Sequence, residues 1–201
     1  MTLDYDCGRP EAWPSTDECP EPGLWRCPDA VSTEVESLAL LSTLVAAVKP
    51  MVAVESGTWY GYGAEAIVAG LRGAGRGHLW TVERDAAISE AARDRLCGVG
   101  YGNLVTTVIS DDVATVVEGA GLSGRVEFYY CDSDDLENGA RAREIRRMLP
   151  LMAPRGIIVA HDVSPVYAAH RRDVLALAEE GLVAVVMLPT PRGLAIMRRA
   201  L

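Results

Sequence analysis

Apolar residues along this chain fall into short blocks whose period changes from one block to the next. Val52-Ala53-Val54 is an uninterrupted apolar run that ends at Glu55, whereas Ala64, Ile67, Val68 and Leu71 recur at helical spacing. Between them lies a glycine-punctuated stretch, Ser56-Gly57-Thr58-Trp59-Tyr60-Gly61-Tyr62-Gly63. The pattern predicts strand 51–55, a tight loop and helix 62–72. The same change of period repeats in strand 78–82, helix 86–97, strand 104–109, helix 112–119, strand 126–131, helix 137–149 and strand 156–160. Strands that alternate with helices in this way build a mainly parallel sheet covered on both faces.

The flanks follow different rules. Thr33-Glu34-Val35-Glu36 reads as a capping box that opens a helix running to Val48 and stopping at Lys49-Pro50. Ser164-Pro165 reads as a helix N-cap followed by proline, with Gly181 closing the helix. Two apolar runs, 182–188 and 194–198, flank Pro189-Thr190-Pro191-Arg192-Gly193, a connection that suits a hairpin. Residues 1–31 carry Pro10, Pro14, Pro20, Pro22 and Pro28 among acids, with Trp13 and Trp25 as bulky anchors. This stretch is expected to be an irregular arm, either lying over a pocket or packed on its own or a neighbouring subunit. Residues 32–201 are expected to form one folded domain.

Composition narrows the class. A chain of 201 residues that is 49% hydrophobic buries one sizeable core. Its net charge of −9 and single lysine, Lys49, argue against a nucleic-acid partner, which needs clustered cations. Arg141, Arg143, Arg146 and Arg147 do cluster, but beside Glu137 and Glu144, as on a solvated or subunit-contacting helix face. No apolar run reaches the roughly 18 to 20 residues that span a bilayer, and the acidic N-terminus lacks signal-peptide character, so a cytoplasmic protein is expected. The five cysteines lack zinc-site spacing and are read as reduced thiols.

The glycine loop selects its ligand. A dinucleotide fingerprint needs G-x-G-x-x-G, but Thr58, Trp59 and Tyr60 separate Gly57 from Gly61 and crowd a pyrophosphate. An acid two residues before the first glycine suits a cationic or hydroxyl-rich ligand instead. Glu83, at the end of the second strand, stands where an acid accepts hydrogen bonds from ribose hydroxyls.

Glu55-Ser56-Gly57-Thr58-Trp59-Tyr60-Gly61-Tyr62 resembles the first motif of class I S-adenosylmethionine-dependent methyltransferases, especially small-molecule O-methyltransferases related to catechol O-methyltransferase. Thr81-Val82-Glu83-Arg84-Asp85 resembles their ribose-binding motif, Ser110-Asp111-Asp112 their adenine-side acidic turn, and Phe128 to Asp132 their fourth strand. Leu151 to Asp162 resembles the fifth strand. The ending His161-Asp162 also resembles the methyltransferase group near cephalosporin-biosynthetic and macrolide-sugar enzymes. The resemblance implies a three-layer, Rossmann-like α/β fold with a seven-stranded, mainly parallel sheet and a C-terminal antiparallel hairpin. It implies S-adenosylmethionine as cofactor, held by Glu55, Gly57, Thr58, Tyr60 and Gly61 with Glu83, Asp111 and Asp132.

Open α/β sheets place their chemistry at the C-terminal strand ends. There Asp132, Asp134 and Asp135 follow the fourth strand, and His161 and Asp162 end the fifth. In catechol-type relatives such acids hold magnesium, so the resemblance implies Mg²⁺ or a similar ion with Asp132 and Asp162 as ligands. His161 stands where those relatives have an aspartate and Asp135 where they have a lysine base. His161 is therefore either a third metal ligand or the base that accepts a hydroxyl proton, with Asp132 beside it; the alternative is a histidine that only hydrogen-bonds the strand end. His78 and His170 are read as structural or exposed. The activity implied is methyl transfer to a hydroxyl oxygen of a small natural product, sugar or phenol, by a homodimer or higher homo-oligomer without a membrane or nucleic-acid partner. Two other readings stand beside it, an NAD-dependent oxidoreductase and a catalytically silent binding or assembly protein of the same fold.

Overall fold

The computed structural model describes residues 13–29, 31–133 and 137–200. Seven strands, β1 (Val52–Ser56), β2 (His78–Glu83), β3 (Val105–Ile109), β4 (Val126–Cys131), β5 (Met152–His161), β6 (Val183–Leu188) and β7 (Leu194–Arg199), form one sheet in the order β3-β2-β1-β4-β5-β7-β6. The first five pair in parallel, and β7 pairs antiparallel with both β5 and β6. This is the expected mainly parallel sheet with an antiparallel hairpin at the C-terminus.

Alternation along β1 splits the core in two. Ala53 packs on one face with Leu38, Leu41 and Val45 of helix α1 (Val35–Val48), with Ile67 and Leu71 of α2 (Tyr62–Ala74), and with Leu96 of α3 (Ala86–Gly98). Val52 and Val54 pack on the other, with Val117 of α4 (Val113–Gly119), Ile145 of α5 (Ala140–Met148), and Val174 and Leu177 of α6 (Ala168–Glu179). All five residues of β1 are buried, and its first three, Val52 to Val54, read as a continuous apolar run.

Several local expectations differ from the structure. The capping box at Thr33 does not form: Glu34 occupies the N-cap of α1 with no side-chain cap, Thr33 turns to Tyr130 and Asp132, and Glu36 pairs with Arg26. Packing of Leu38, Leu41 and Val45 holds the helix instead. Ser164 likewise offers no side-chain cap, and Pro165–Tyr167 is a 3₁₀ turn ahead of α6. Helix α5 is shorter than expected because Gly139, at φ 83°, turns the chain into it. Strand β5 is longer than expected: it begins at Met152, and a register shift against β4 accommodates Pro154. Among the arginines, Arg143, Arg146 and Arg147 lie outside in ion pairs, whereas Arg141 is buried and donates to the carbonyls of Cys131 and Ser133. His170 is buried beside Arg141, with Nδ1 at 3.1 Å, and His78 bonds Thr106. Cys19, Cys27, Cys97 and Cys131 are free thiols; Cys7 lies outside the described residues. No described helix is long and apolar enough to cross a membrane.

Candidate active site

The strand order reverses between β1 and β4, and such a switch point leaves a crevice beyond the strand ends. Gly57 begins the loop after β1 at φ 79°, with its amide bonded to Val82 at 2.9 Å. A Cβ there would lie 2.7 Å from the Asp132 carbonyl carbon, so only glycine lets the loop cross the end of β4. Trp59 follows at φ 47°, left-handed although it carries a bulky side chain. Two hydrogen bonds hold it there: its amide donates to Glu83 Oε2 at 3.0 Å, and its indole donates to Asp29 Oδ2 at 3.3 Å. Glu83 Oε1 accepts from the Asp85 amide at 3.0 Å, so two backbone N–H groups aim this carboxylate.

Glu55 lies fully buried below the loop. Its Oε2 accepts from Thr81 at 2.5 Å, Thr81 also bonds Thr58, and its Oε1 has no partner within the protein. Burial, together with the nearby Asp132 and Glu83 charges, pushes this carboxyl well above its ordinary 4.5 despite the Thr81 bond. Tyr60, half exposed, stacks edge-on against Trp59 at 4.8 Å between ring centroids. Asp111 is exposed just beyond β3, where the preceding Ser110 amide donates to the Glu83 carbonyl.

On the β4 and β5 side, Asp132, His161 and Asp162 present ligating atoms within 4.8 Å of one another. His161 is only 1% exposed, and both of its ring nitrogens face carboxylates: Nδ1 lies 3.0 Å from Asp132 Oδ1, and Nε2 lies 3.1 Å from Glu34 Oε2. Burial alone would lower its pKa, but the charges of Asp132 and Asp162 and the hydrogen bonds to Asp132 and Glu34 raise it to about 10. Burial also opposes ionisation of Glu34, yet the bond and charge of His161 and the Arg192 amide outweigh it and hold that carboxyl at about 2. Asp132 is held below its ordinary 3.8 for the same reason, against its own desolvation. Its Oδ2 accepts from the hydroxyls of Thr33 at 3.0 Å and Tyr130 at 3.1 Å. Asp162, at φ 60°, accepts from Arg192 Nε at 2.7 Å and Nη2 at 3.2 Å.

A family profile described as a methyltransferase domain matches residues 54–163, more than half of the chain. The chain belongs to this methyltransferase family. The methyltransferase is similar in fold to an SAH complex of an O-methyltransferase from Bacillus cereus, at 19% identity and a TM-score of 0.72 over 84% of this chain and 83% of that one. It is also similar to the O-methyltransferase TomG from Streptomyces achromogenes, involved in tomaymycin synthesis and solved with SAM, at 18% identity and a TM-score of 0.71 over 85% and 82% of the two chains. An SAH-bound methyltransferase from Podospora anserina aligns at 20% identity and a TM-score of 0.69, over 84% and 79%. A search of curated proteins found no match.

The structure of this methyltransferase brings Glu55, Gly57, Thr58 and Glu83 to one rim and Asp132, His161 and Asp162 to the adjoining one. Asp134 and Asp135 lie outside the described residues. Both ring nitrogens of His161 face carboxylates, Asp132 at 3.0 Å and Glu34 at 3.1 Å. Sequence reasoning missed Glu34, Thr33, Tyr130 and Arg192. Thr33 and Glu34 were hidden by the capping-box pattern and Arg192 by the hairpin turn. The alternation along β4 does carry a signal for Tyr130, because it pairs with Glu55 across the sheet and shares its face.

Proposed function

We propose that this methyltransferase transfers a methyl group from S-adenosylmethionine to a hydroxyl oxygen of a small molecule, with Asp132 receiving the hydroxyl proton. The observation that carries the reading is the pair of strand-end acids around the glycine loop. Glu83 is aimed by two amides, and Glu55 keeps a buried oxygen without a protein partner. Such an unpaired buried oxygen costs stability by itself and fits a site completed by a polar ligand. Gly57, Thr58, Tyr60, Gly61 and Asp111 complete the set of residues that would hold the cofactor. When bound, S-adenosylmethionine supplies an electrophilic methyl group on a sulfonium.

The protein's own part is orientation and proton handling. Asp132 borders the Gly57 loop, and its side chain is 19% exposed, against 1% for His161, which makes it the acid an acceptor hydroxyl can reach. One of its oxygens is fixed by His161 and the other by Thr33 and Tyr130, so the carboxylate is held in a single orientation. A weakly basic carboxylate is sufficient because a hydroxyl becomes strongly acidic as its oxygen is alkylated. His161 acts through Asp132 as a positioning residue. The donor set fits magnesium poorly, since a hard cation seeks oxygen ligands and these carboxylates already serve His161 and Arg192.

The test is calorimetry with S-adenosylhomocysteine. We expect saturable binding, weakened by about 1 to 3 kcal/mol in Glu83→Ala, the scale of losing hydrogen bonds to a charged group. Absence of binding to the unmutated protein sinks the reading, and an unchanged affinity in the variant removes Glu83 from the site.

A further inference from the structure

Three ligating side chains converge within 4.8 Å at the ends of β4 and β5, the geometry of a cation site, yet a cationic side chain of this chain, Arg192, already pairs with one of them. Arg192 projects from the loop between β6 and β7 and grips both oxygens of Asp162, at 2.7 and 3.2 Å, in the forked arrangement that matches guanidinium to carboxylate. On its other side the guanidinium lies 5.0 Å from the centre of the Tyr167 ring. The loop is fixed in turn, because Glu34 Oε1 accepts from the Arg192 amide at 2.8 Å and from the Thr190 hydroxyl at 3.0 Å. The other oxygen of Glu34 lies 3.1 Å from His161 Nε2, while His161 Nδ1 lies 3.0 Å from Asp132 and 3.4 Å from Asp162. Glu34, Asp132 and Asp162 thus bring three negative charges, and His161 and Arg192 stand interleaved with them.

We propose that Arg192 occupies the electrostatic place of a divalent ion at this cluster, so that the acceptor end of the site works without a bound metal. To enter, a divalent ion would have to displace a buried forked arginine and take a histidine nitrogen that already faces a carboxylate. It would also sit directly against a guanidinium. Like charges brought together out of water repel strongly, and a buried arginine cannot shed its proton to relieve the conflict. Arg192 is thereby a positioning residue. It engages both carboxylate oxygens of Asp162, whose backbone lies in the left-handed region at φ 60°. The inference rests on the reading of these strand ends as the acceptor side of a methyltransferase site.

The experiment is a Mn²⁺ titration of the full chain followed by electron paramagnetic resonance, with S-adenosylhomocysteine binding measured on the same samples. The unmutated protein is expected to leave the free Mn²⁺ signal unaltered. Arg192→Gln, which frees the Asp162 carboxylate, is expected to gain saturable Mn²⁺ binding, tighter by roughly tenfold or more. Arg192→Lys retains the charge and is expected to gain none. Saturable binding of one Mn²⁺ by the unmutated protein that disappears in Asp162→Asn overturns the proposal. So does an Arg192→Gln protein that binds S-adenosylhomocysteine normally and gains no Mn²⁺. Should Arg192→Gln fail to fold, the unmutated and Asp162→Asn titrations decide alone. Loss of S-adenosylhomocysteine binding by the unmutated protein bears on the methyl-transfer reading and leaves the Mn²⁺ result standing.

Discussion

Gly57 and Trp59 carry opposite sides of one constraint. The loop must cross the end of β4 closely enough that a Cβ on Gly57 would strike the Asp132 backbone, and two residues later it must turn left-handed at a tryptophan. Glycine meets the first demand without strain. The second is met at a cost that the bonds from Trp59 to Glu83 and Asp29 offset. Gly57→Ala is therefore expected to lower stability by about 1 to 3 kcal/mol and to push Asp132 from its place, weakening S-adenosylhomocysteine binding as well. Chemical denaturation and calorimetry on the same variant check the two effects. A variant as stable as the parent would show that the loop is free to move away from β4.

The helices around the site start in two ways. Asp85 caps α3 by accepting from the amides of Ala87 and Ile88, at 2.8 and 3.0 Å, whereas α1 begins at Glu34 without any side-chain cap. Thr33 and Glu34, the residues best placed to serve the start of α1, are committed to Asp132 and to His161 with the Arg192 loop. Helix α1 draws its stability from buried leucines instead. Asp85→Ala is expected to cost about 1 kcal/mol by urea denaturation while the Asp85 amide still supports Glu83. Cofactor affinity should then hold nearly constant, and a large loss would mean that α3 frays far enough to disturb the Glu83 carboxylate.

Across the molecule the buried charges make stability depend on pH. The folded pKa of His161, about 10, lies above its ordinary 6.5, so its contribution is complete below 6.5 and is lost as pH rises toward 10. That of Glu34, about 2, lies below its ordinary 4.5, so its contribution is complete above 4.5 and is lost as pH falls toward 2. The buried thiols of Cys27 and Cys131, pushed up to about 12, add an alkaline loss only above their ordinary 9.0. A steepening of the decline in melting temperature that begins near pH 6.5, ahead of the thiol range, is therefore assigned to His161. Glu55, raised by burial, contributes a decline from 4.5 upward that a His161 variant keeps. His161→Gln should melt lower by the equivalent of about 3 to 5 kcal/mol, because it strands the Glu34 and Asp132 carboxylates, and should show a shallower decline between pH 6.5 and 9.0, the remainder belonging to Glu55. Calorimetric scans across that range decide it, and an undiminished decline in the variant would assign the pH dependence elsewhere.

Period and punctuation in the amino-acid sequence were enough for the alternating strands and helices, the antiparallel hairpin and the cradle of Glu55, Gly57 and Glu83. Their parts are encoded locally, as runs of β-branched or apolar side chains, a glycine at a turn, or an acid at a strand end. The convergence of Asp132, His161 and Asp162 was also legible, because parallel strands deliver their C-terminal ends to one edge. What those residues do there was not legible. The state of His161 depends on Glu34, 127 positions away, and the engagement of Asp162 depends on Arg192, 30 positions away. Local patterns assign Thr33 to a helix cap and Arg192 to a turn, and only folding shows that both face the strand ends. The converging carboxylates then raise the pKa of His161 against the burial that would lower it, and no pattern in the chain states which charged groups will meet there.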